Sequence, residues 1–351
     1  MAKPIMSSSL GENGTFVLGP GRCGSTMVSD ILNLHPDILS LSEFFSMQGV
    51  RSLLPGELTG KAYWKQLSTQ TRSMKVMFTP ETAPSEFLYN DKIGRFPIDD
   101  VPPILVSTIP HLTKDPDALF DRLAVIVPTF PVQTVERHHE LLFQTLGDML
   151  GRRLWVERTG LSQMYAKLLP KLYPKAKFVL LYRDGRDVAL SMQAFKPTRP
   201  AIWNWKWNRR FGRSPIDIDD PAGRSRKLYR NDRLMGWKPI IRWMVNHAPP
   251  LEDCVGFWSE LTLTSLPEFL SIPSERRHIL AYENLTRKPE AEISKLASFL
   301  GANRNADWLK KAAQIPRVTE PRWKRLDSST QSSLRDWTLN ARKAAASLSA
   351  G

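Results

Sequence analysis

Short unbroken apolar runs alternate with helix-period stretches along much of this chain. Phe16, Val17 and Leu18 precede a cluster of glycines, after which Met27, Val28, Ile31 and Leu32 recur at the spacing of one helical face. That pattern predicts a strand at 15–18 and a helix at 24–34. His35-Pro36 stops the helix, because proline disfavours helical backbone in the residue before it. Residues 38–41 predict a second strand, ending at Ser42-Glu43-Phe44-Phe45, and 154–156 a third, with a helix over 162–169 behind it. Residues 178–182 are apolar throughout, as in a parallel strand covered on both faces. A further strand is predicted at 278–282.

Helices are predicted near 57–67 and 134–150, at 255–266 before Pro267, and at 289–300. The last has Pro289 near its start and Gly301 just past its end. From Ser328 onward the pattern suggests an exposed helix that frays into Ala and Ser. Residues 123–127 read equally as a strand or as a buried helix end, and the prolines between 97 and 131 suggest loops over one edge. Strands alternating with helices indicate an α/β fold with a parallel β-sheet flanked by helices. The segment 196–250 breaks the rhythm: Trp203, Trp205, Trp207, Trp237 and Trp243 stand among arginines and prolines without a clean period. It reads as an insertion or lid within one domain spanning 1–351.

Composition narrows the partners. The formal net charge is +14, and between residues 195 and 250 thirteen Lys and Arg face four Asp. Anionic small ligands, an anionic membrane surface and nucleic acid all suit such a surface, and so does a merely solvated basic face. Only Cys23 and Cys254 occur, and no Cys/His cluster has zinc spacing. The first residues contain no apolar stretch like that of a signal peptide. The expectation is a cytoplasmic protein without a metal, able to touch a membrane peripherally.

Candidate chemistry begins at Gly19-Pro20-Gly21-Arg22-Cys23-Gly24-Ser25-Thr26. A glycine loop between strand and helix aims backbone N–H groups at an anion, and the helix N-terminus adds partial positive charge. The spacing approaches that of a P-loop, but Ser25 stands where the phosphate-binding lysine belongs. Arg22 supplies a cation earlier in the loop. A second anion site is expected at Arg183 to Ser191, where a buried strand turns into a helix. An arginine fork and a hydroxyl one or two turns later can reach one phosphate. Each segment alone also fits a plainer role: a packing turn for the first, a loop of solvated ion pairs for the second.

Taken in order, these motifs resemble the PAPS-dependent sulfotransferases, in particular the tyrosylprotein and bacterial branch. Residues 19–26 look like the family's 5′-phosphosulfate loop, and 183–191 like its 3′-phosphate motif. Tyr282-Glu283-Asn284-Leu285, followed by Pro289 and Phe299-Leu300-Gly301, looks like its Tyr-Glu-Asp-Leu segment. The resemblance implies a P-loop-like parallel sheet, the PAPS sulfotransferase fold. It implies transfer of a sulfuryl group from PAPS to an acceptor, leaving PAP. It also implies that Arg22 and the backbone of Gly21, Cys23, Gly24, Ser25 and Thr26 hold the 5′-phosphosulfate. Arg183 and Ser191 would hold the 3′-phosphate, and Tyr282 would lie near the adenine.

The acceptor hydroxyl needs a base. In the tyrosylprotein branch a His-Pro stop and then a glutamate follow the loop; His35-Pro36 and Glu43 match. Glu43 is therefore the expected base, against the plainer reading of a capping or surface-paired glutamate. His111, His138 and His139 are the rivals, the last two expected to be solvated on the 134–150 helix.

The chain departs from the family where Cys23 and Gly21 replace serine and proline, and where Arg158-Thr159-Gly160 replaces Lys-Thr-Pro. Arg158 keeps the charge at its place. Cys23, beside Arg22 at a helix N-terminus, is expected to have a lowered pKa and to be sensitive to oxidation. Arg322-Trp323-Lys324 is a loose match to the loop that closes over PAPS in relatives. A hydroxylated lipid or small metabolite is the expected acceptor, with nucleic acid disfavoured. Two other classes stay open: a lysine-less P-loop kinase or NTPase, and a noncatalytic polyanion- or membrane-binding protein using 196–250.

Overall fold

A computed structural model describes residue 12 and residues 14–71, 74–75, 86–90, 92–212, 238–303 and 305–346. Five strands form the central sheet: β1 (Gly14–Leu18), β2 (Ile38–Ser42), β5 (Leu154–Arg158), β6 (Lys177–Tyr182) and β7 (Arg277–Ala281). Their order is β2-β5-β1-β6-β7, and every neighbouring pair is parallel. Two short strands, β3 (Glu57–Leu58) and β4 (Gln133–Thr134), pair antiparallel outside it.

The apolar runs of β1 and β6 become legible once both faces are considered. Successive side chains of a strand point to opposite faces. Phe16, Leu18, Phe178 and Leu180 enter one core, while Val17, Val179 and Leu181 enter another. The helix Ser25–Asn33 packs Val28, Ile31 and Leu32 into the second core, joined by Ile293 and Leu296 of the helix Pro289–Leu300. The helix Val135–Leu150 closes the first core with Leu142, Phe143 and Leu146. The predicted parallel sheet between helical layers is therefore present.

Several local expectations need correction. The prolines near 103 and 116 begin helices rather than loops: Pro103–Val106 and Pro116–Ile126 both carry proline in the first turn, where its missing N–H costs nothing. Residues 123–126 are the end of that second helix. The predicted helix over 162–169 is only a 3₁₀ turn, Ser162–Tyr165, followed by one helical turn, Leu169–Leu172. The predicted stop before Pro267 fails, because one helix runs Leu251–Ser271 straight through it. Leu266 and Phe269 are buried on either side of the proline, so tertiary packing outweighs one lost hydrogen bond.

The C-terminal helices Ser328–Trp337 and Leu339–Ala346 are not a fraying appendage. Leu334 and Ala341 are buried in one cluster with Cys254, Trp258 and Leu261 of the long helix. Within 196–250 the described part includes helices at Arg199–Arg209 and Lys238–Asn246. Trp237 and the rest of 213–237 lie outside the described residues.

Candidate active site

Because the five strands are parallel, all their carboxyl ends open onto one edge of the sheet. The chain leaves β1 between β5 and β6, at a reversal of strand order, which is where open α/β sheets bind ligands. One sequence-selected group follows each strand: the 19–26 loop after β1, Glu43 after β2, Arg158-Thr159-Gly160 at the end of β5, Arg183 after β6 and Tyr282 after β7. Arg22, Glu43, Arg183, Ser191 and Tyr282 line a common cavity of about 490 Å³, together with Gly21, Gly24, Ser25 and Thr26.

The loop is built from left-handed backbone, with φ of 75° at Gly21, 56° at Arg22 and 92° at Gly24. Such turns present successive N–H groups to an anion. Gly24 has a second constraint: a Cβ there would sit 2.5 Å from the Tyr282 ring. The Ser162 hydroxyl accepts from the Gly19 N–H at 3.2 Å and donates to the Val17 carbonyl at 2.9 Å, pinning the loop to the turn after β5. Among the described residues, only Arg22, Glu43 and Leu161 combine a side chain with left-handed φ. All three follow strands of the sheet and line the cavity, so local strain concentrates at its wall.

Arg22 joins the two expected anion sites. Its Nε donates to Ser191 Oγ at 3.2 Å, and its guanidinium lies 3.9 Å from the Phe195 ring centroid. Its Nη1 pairs with Glu86 Oε1 at 3.0 Å. Arg183 donates to the Arg22 carbonyl at 3.3 Å and stacks over Tyr282 at 4.1 Å, while its buried Nε has no hydrogen-bond partner. A buried N–H without an acceptor in a cationic cavity fits an anionic ligand. The loose match at Arg322-Trp323-Lys324 also lies here. Arg322 lines the cavity, the Trp323 N–H donates to Asp187 at 3.2 Å, and Arg186 stacks on the Trp323 ring at 3.7 Å.

Glu43 occupies the N-cap position of the helix Phe44–Gln48, yet its side chain caps nothing. It accepts from Arg158, from the Ser46 hydroxyl and, at 3.0 Å, from the Gly160 N–H. These three donors fix the carboxylate at the cavity wall. Arg158 is buried and reaches Ser42 Oγ at 2.6 Å as well, so its partners lie at the end of β2 and immediately after it. Behind it, Glu157 is fully buried and accepts from Thr159 Oγ1 at 2.5 Å. Burial, reinforced by the nearby Glu43 charge, pushes its pKa up to about 8.

Cys23 departs from expectation. Its thiol points away from the cavity into the core with Val28 and Leu181, and burial pushes its pKa up to about 11 rather than down. Only its backbone belongs to the loop. The rival histidines are also elsewhere, and none is among the described residues lining the cavity. His138 and His139 are buried, not solvated. His138 bonds the Leu58 carbonyl at 2.8 Å, and His139 the Tyr173 hydroxyl at 3.0 Å. Burial lowers His139 to about 3 and His111 to about 4.

Sequence reasoning missed Glu86 entirely. It belongs to no motif and reaches the cavity from a different layer, where the Ser107 hydroxyl donates to its carbonyl.

A family profile described as "Sulfotransferase family" matches residues 15–306. A Caenorhabditis briggsae protein named "Putative protein-tyrosine sulfotransferase" is 22% identical over 292 residues, covering 82% of this chain and 65% of that relative. The chain thus spans about two thirds of the length of the curated relative it matches. Among solved structures, the sulfotransferase domain from the curacin biosynthetic pathway aligns at 16% identity and a TM-score of 0.46, covering 97% of this chain and 99% of that one. The sulfotransferase domain of the Synechococcus PCC 7002 olefin synthase aligns at 14% identity and 0.45, covering 99% and 98%.

Proposed function

Because this chain belongs to the sulfotransferase family, we propose that it transfers a sulfuryl group from PAPS to an acceptor hydroxyl. The observation that carries the reading is the placement of Arg22, Arg183 and Glu43 around one cavity at a shared strand edge. PAPS supplies the sulfuryl group. The acceptor oxygen forms the new bond to sulfur as the bond from sulfur to the bridging phosphate oxygen breaks, and PAP departs.

Each residue then has a role. The 19–26 loop and Arg22 hold the phosphosulfate end, and Arg22 offsets the charge growing on the leaving oxygen. Arg183 and Ser191 hold the 3′-phosphate, and Tyr282 borders the nucleoside. Glu43 takes the proton of the attacking hydroxyl. Arg158, Ser46 and Gly160 keep the Glu43 carboxylate facing the cavity.

The acceptor is a hydroxylated small metabolite or lipid. Met27, Met47, Leu161, Phe195 and Pro197 give the cavity an apolar wall, which suits an apolar acceptor body. Pro197 and Thr198 border the cavity directly, so we read 196–250 as an insertion that begins at its mouth within a single domain. Among the described residues no helix is long and apolar enough to cross a membrane. The net charge of +14 supports a cytoplasmic protein able to touch an anionic membrane peripherally.

Thermal stabilisation by PAP in EDTA, with AMP and Mg-ATP as controls, tests the donor assignment. A ligand at 100 times its Kd stabilises the native state by about 2.7 kcal/mol. A shift with PAP and little with AMP supports a read 3′-phosphate. A shift with Mg-ATP alone favours a lysine-less kinase, and no shift at all rejects the donor site.

A further inference from the structure

Arg22, the cation on which the proposed reaction depends, already has a counter-anion. Glu86 Oε1 lies 3.0 Å from Arg22 Nη1, and both residues line the cavity. The pair is partly shielded, with side-chain exposures of 29% for Arg22 and 15% for Glu86. A shielded pair resists replacement by water more than a surface pair does, because the remaining charge would stay poorly solvated.

The backbone that presents Glu86 is clamped. The Ser107 hydroxyl donates to the Glu86 carbonyl, the Leu88 N–H donates to the Val106 carbonyl at 2.9 Å, and the Tyr89 hydroxyl donates to Asp117 at 2.6 Å. With the backbone held, displacement of the carboxylate from Arg22 would be a movement of the Glu86 side chain alone. Arg22 would remain oriented meanwhile by Ser191 and Phe195.

We infer that Glu86 sets the affinity threshold of the donor site: it is a built-in counter-anion that any anion binding at Arg22 has to displace. The inference rests on the reading of this cavity as a donor site. A ligand with a single anionic group gains Arg22 and the loop but loses the Arg22–Glu86 pair. A ligand with a second phosphate also engages Arg183, and that anchor offsets the loss. Inorganic sulfate and nucleoside monophosphates are thereby held weakly, and a nucleotide carrying two separated anionic groups is retained. When the product departs, the carboxylate returns to Arg22, which favours release.

Calorimetric titration of PAP, AMP and sodium sulfate against the wild type, Glu86→Gln and Glu86→Ala tests this. Both variants should bind all three ligands more tightly, by about tenfold, because a common competitor is gone. Circular dichroism identifies which variants are folded, and a single folded variant suffices. Unchanged or weaker affinity in a folded variant overturns the inference while leaving the donor site intact, provided PAP binds the wild type. Failure of PAP to bind wild type and variants alike overturns the donor site itself, and this inference with it.

Discussion

At the scale of single residues, two carboxylates and one arginine carry the sharpest expectations. Arg22→Ala should lower turnover by roughly 10²–10³, the cost of removing a principal charge stabiliser; steady-state assays with PAPS decide it, and a loss below tenfold rejects the role. Glu43→Gln should lose roughly 10²–10⁴ in kcat while PAP affinity is kept. Unchanged kcat would remove Glu43 as base. Glu157 makes a different prediction, about stability. Its folded pKa of about 8 exceeds the ordinary 4.5, so the native state binds the proton more tightly. Its stabilising contribution is complete below pH 4.5 and is lost as pH rises toward 8. Glu157→Gln should flatten a slope on the order of 1 kcal/mol per pH unit, read from urea unfolding between pH 5 and 8. Arg22, Arg183 and Glu43 were legible from motif spacing. Glu86 and the Arg158–Glu43 pair were not, because pairing across 64 and 115 positions leaves no local pattern.

At the scale of elements, the same sheet that organises the core also builds the site. β1, β2, β5, β6 and β7 each end at the cavity edge, so a strand shift would displace a functional group. The tightest junction is Gly24 against Tyr282. Gly24→Ala adds a methyl 2.5 Å from that ring and imposes a left-handed φ of 92° on an L side chain. PAP affinity should fall by at least tenfold while far-UV circular dichroism is preserved; unaltered affinity would show that the loop tolerates the shift. Unbroken apolar runs found these strands because their residues alternate between two cores, both of them apolar. The local pattern misjudged the helix through Pro267 and the prolines near 103 and 116. A proline limits only local hydrogen bonding, whereas the packing of Leu266, Phe269 and Ile104 depends on distant partners.

At the scale of the whole molecule, the C-terminal helices complete a core that the long helix Leu251–Ser271 leaves open. Leu334→Ala removes a fully buried side chain and should cost about 2–5 kcal/mol in denaturant unfolding. A cost near zero would mean that these helices are dispensable. Three groups with large shifts contribute opposing slopes to the pH profile of stability. His111 and His139 have folded pKa values of about 4 and 3, below the ordinary 6.5, so their stabilising contribution is lost as pH falls below 6.5. Glu157 acts in the other direction up to about 8. Between 4.5 and 6.5 the two histidines outweigh the one glutamate, and above 6.5 the glutamate acts alone. These groups place maximum stability near pH 6.5, and melting temperatures from pH 4 to 9 would test that.

The sequence by itself determined the parallel α/β sheet, the glycine loop after the first strand and the order of the two anion motifs. Each is written in neighbouring residues as strand runs, turn glycines and helix starts, which local backbone physics reads directly. Tertiary structure decided which groups face the cavity. It turned the Cys23 thiol into the core, buried His138 and His139, paired Glu43 with Arg158 and set Glu86 against Arg22. Burial and charge pairing depend on the elements packed around a side chain, and sequence spacing does not encode those neighbours.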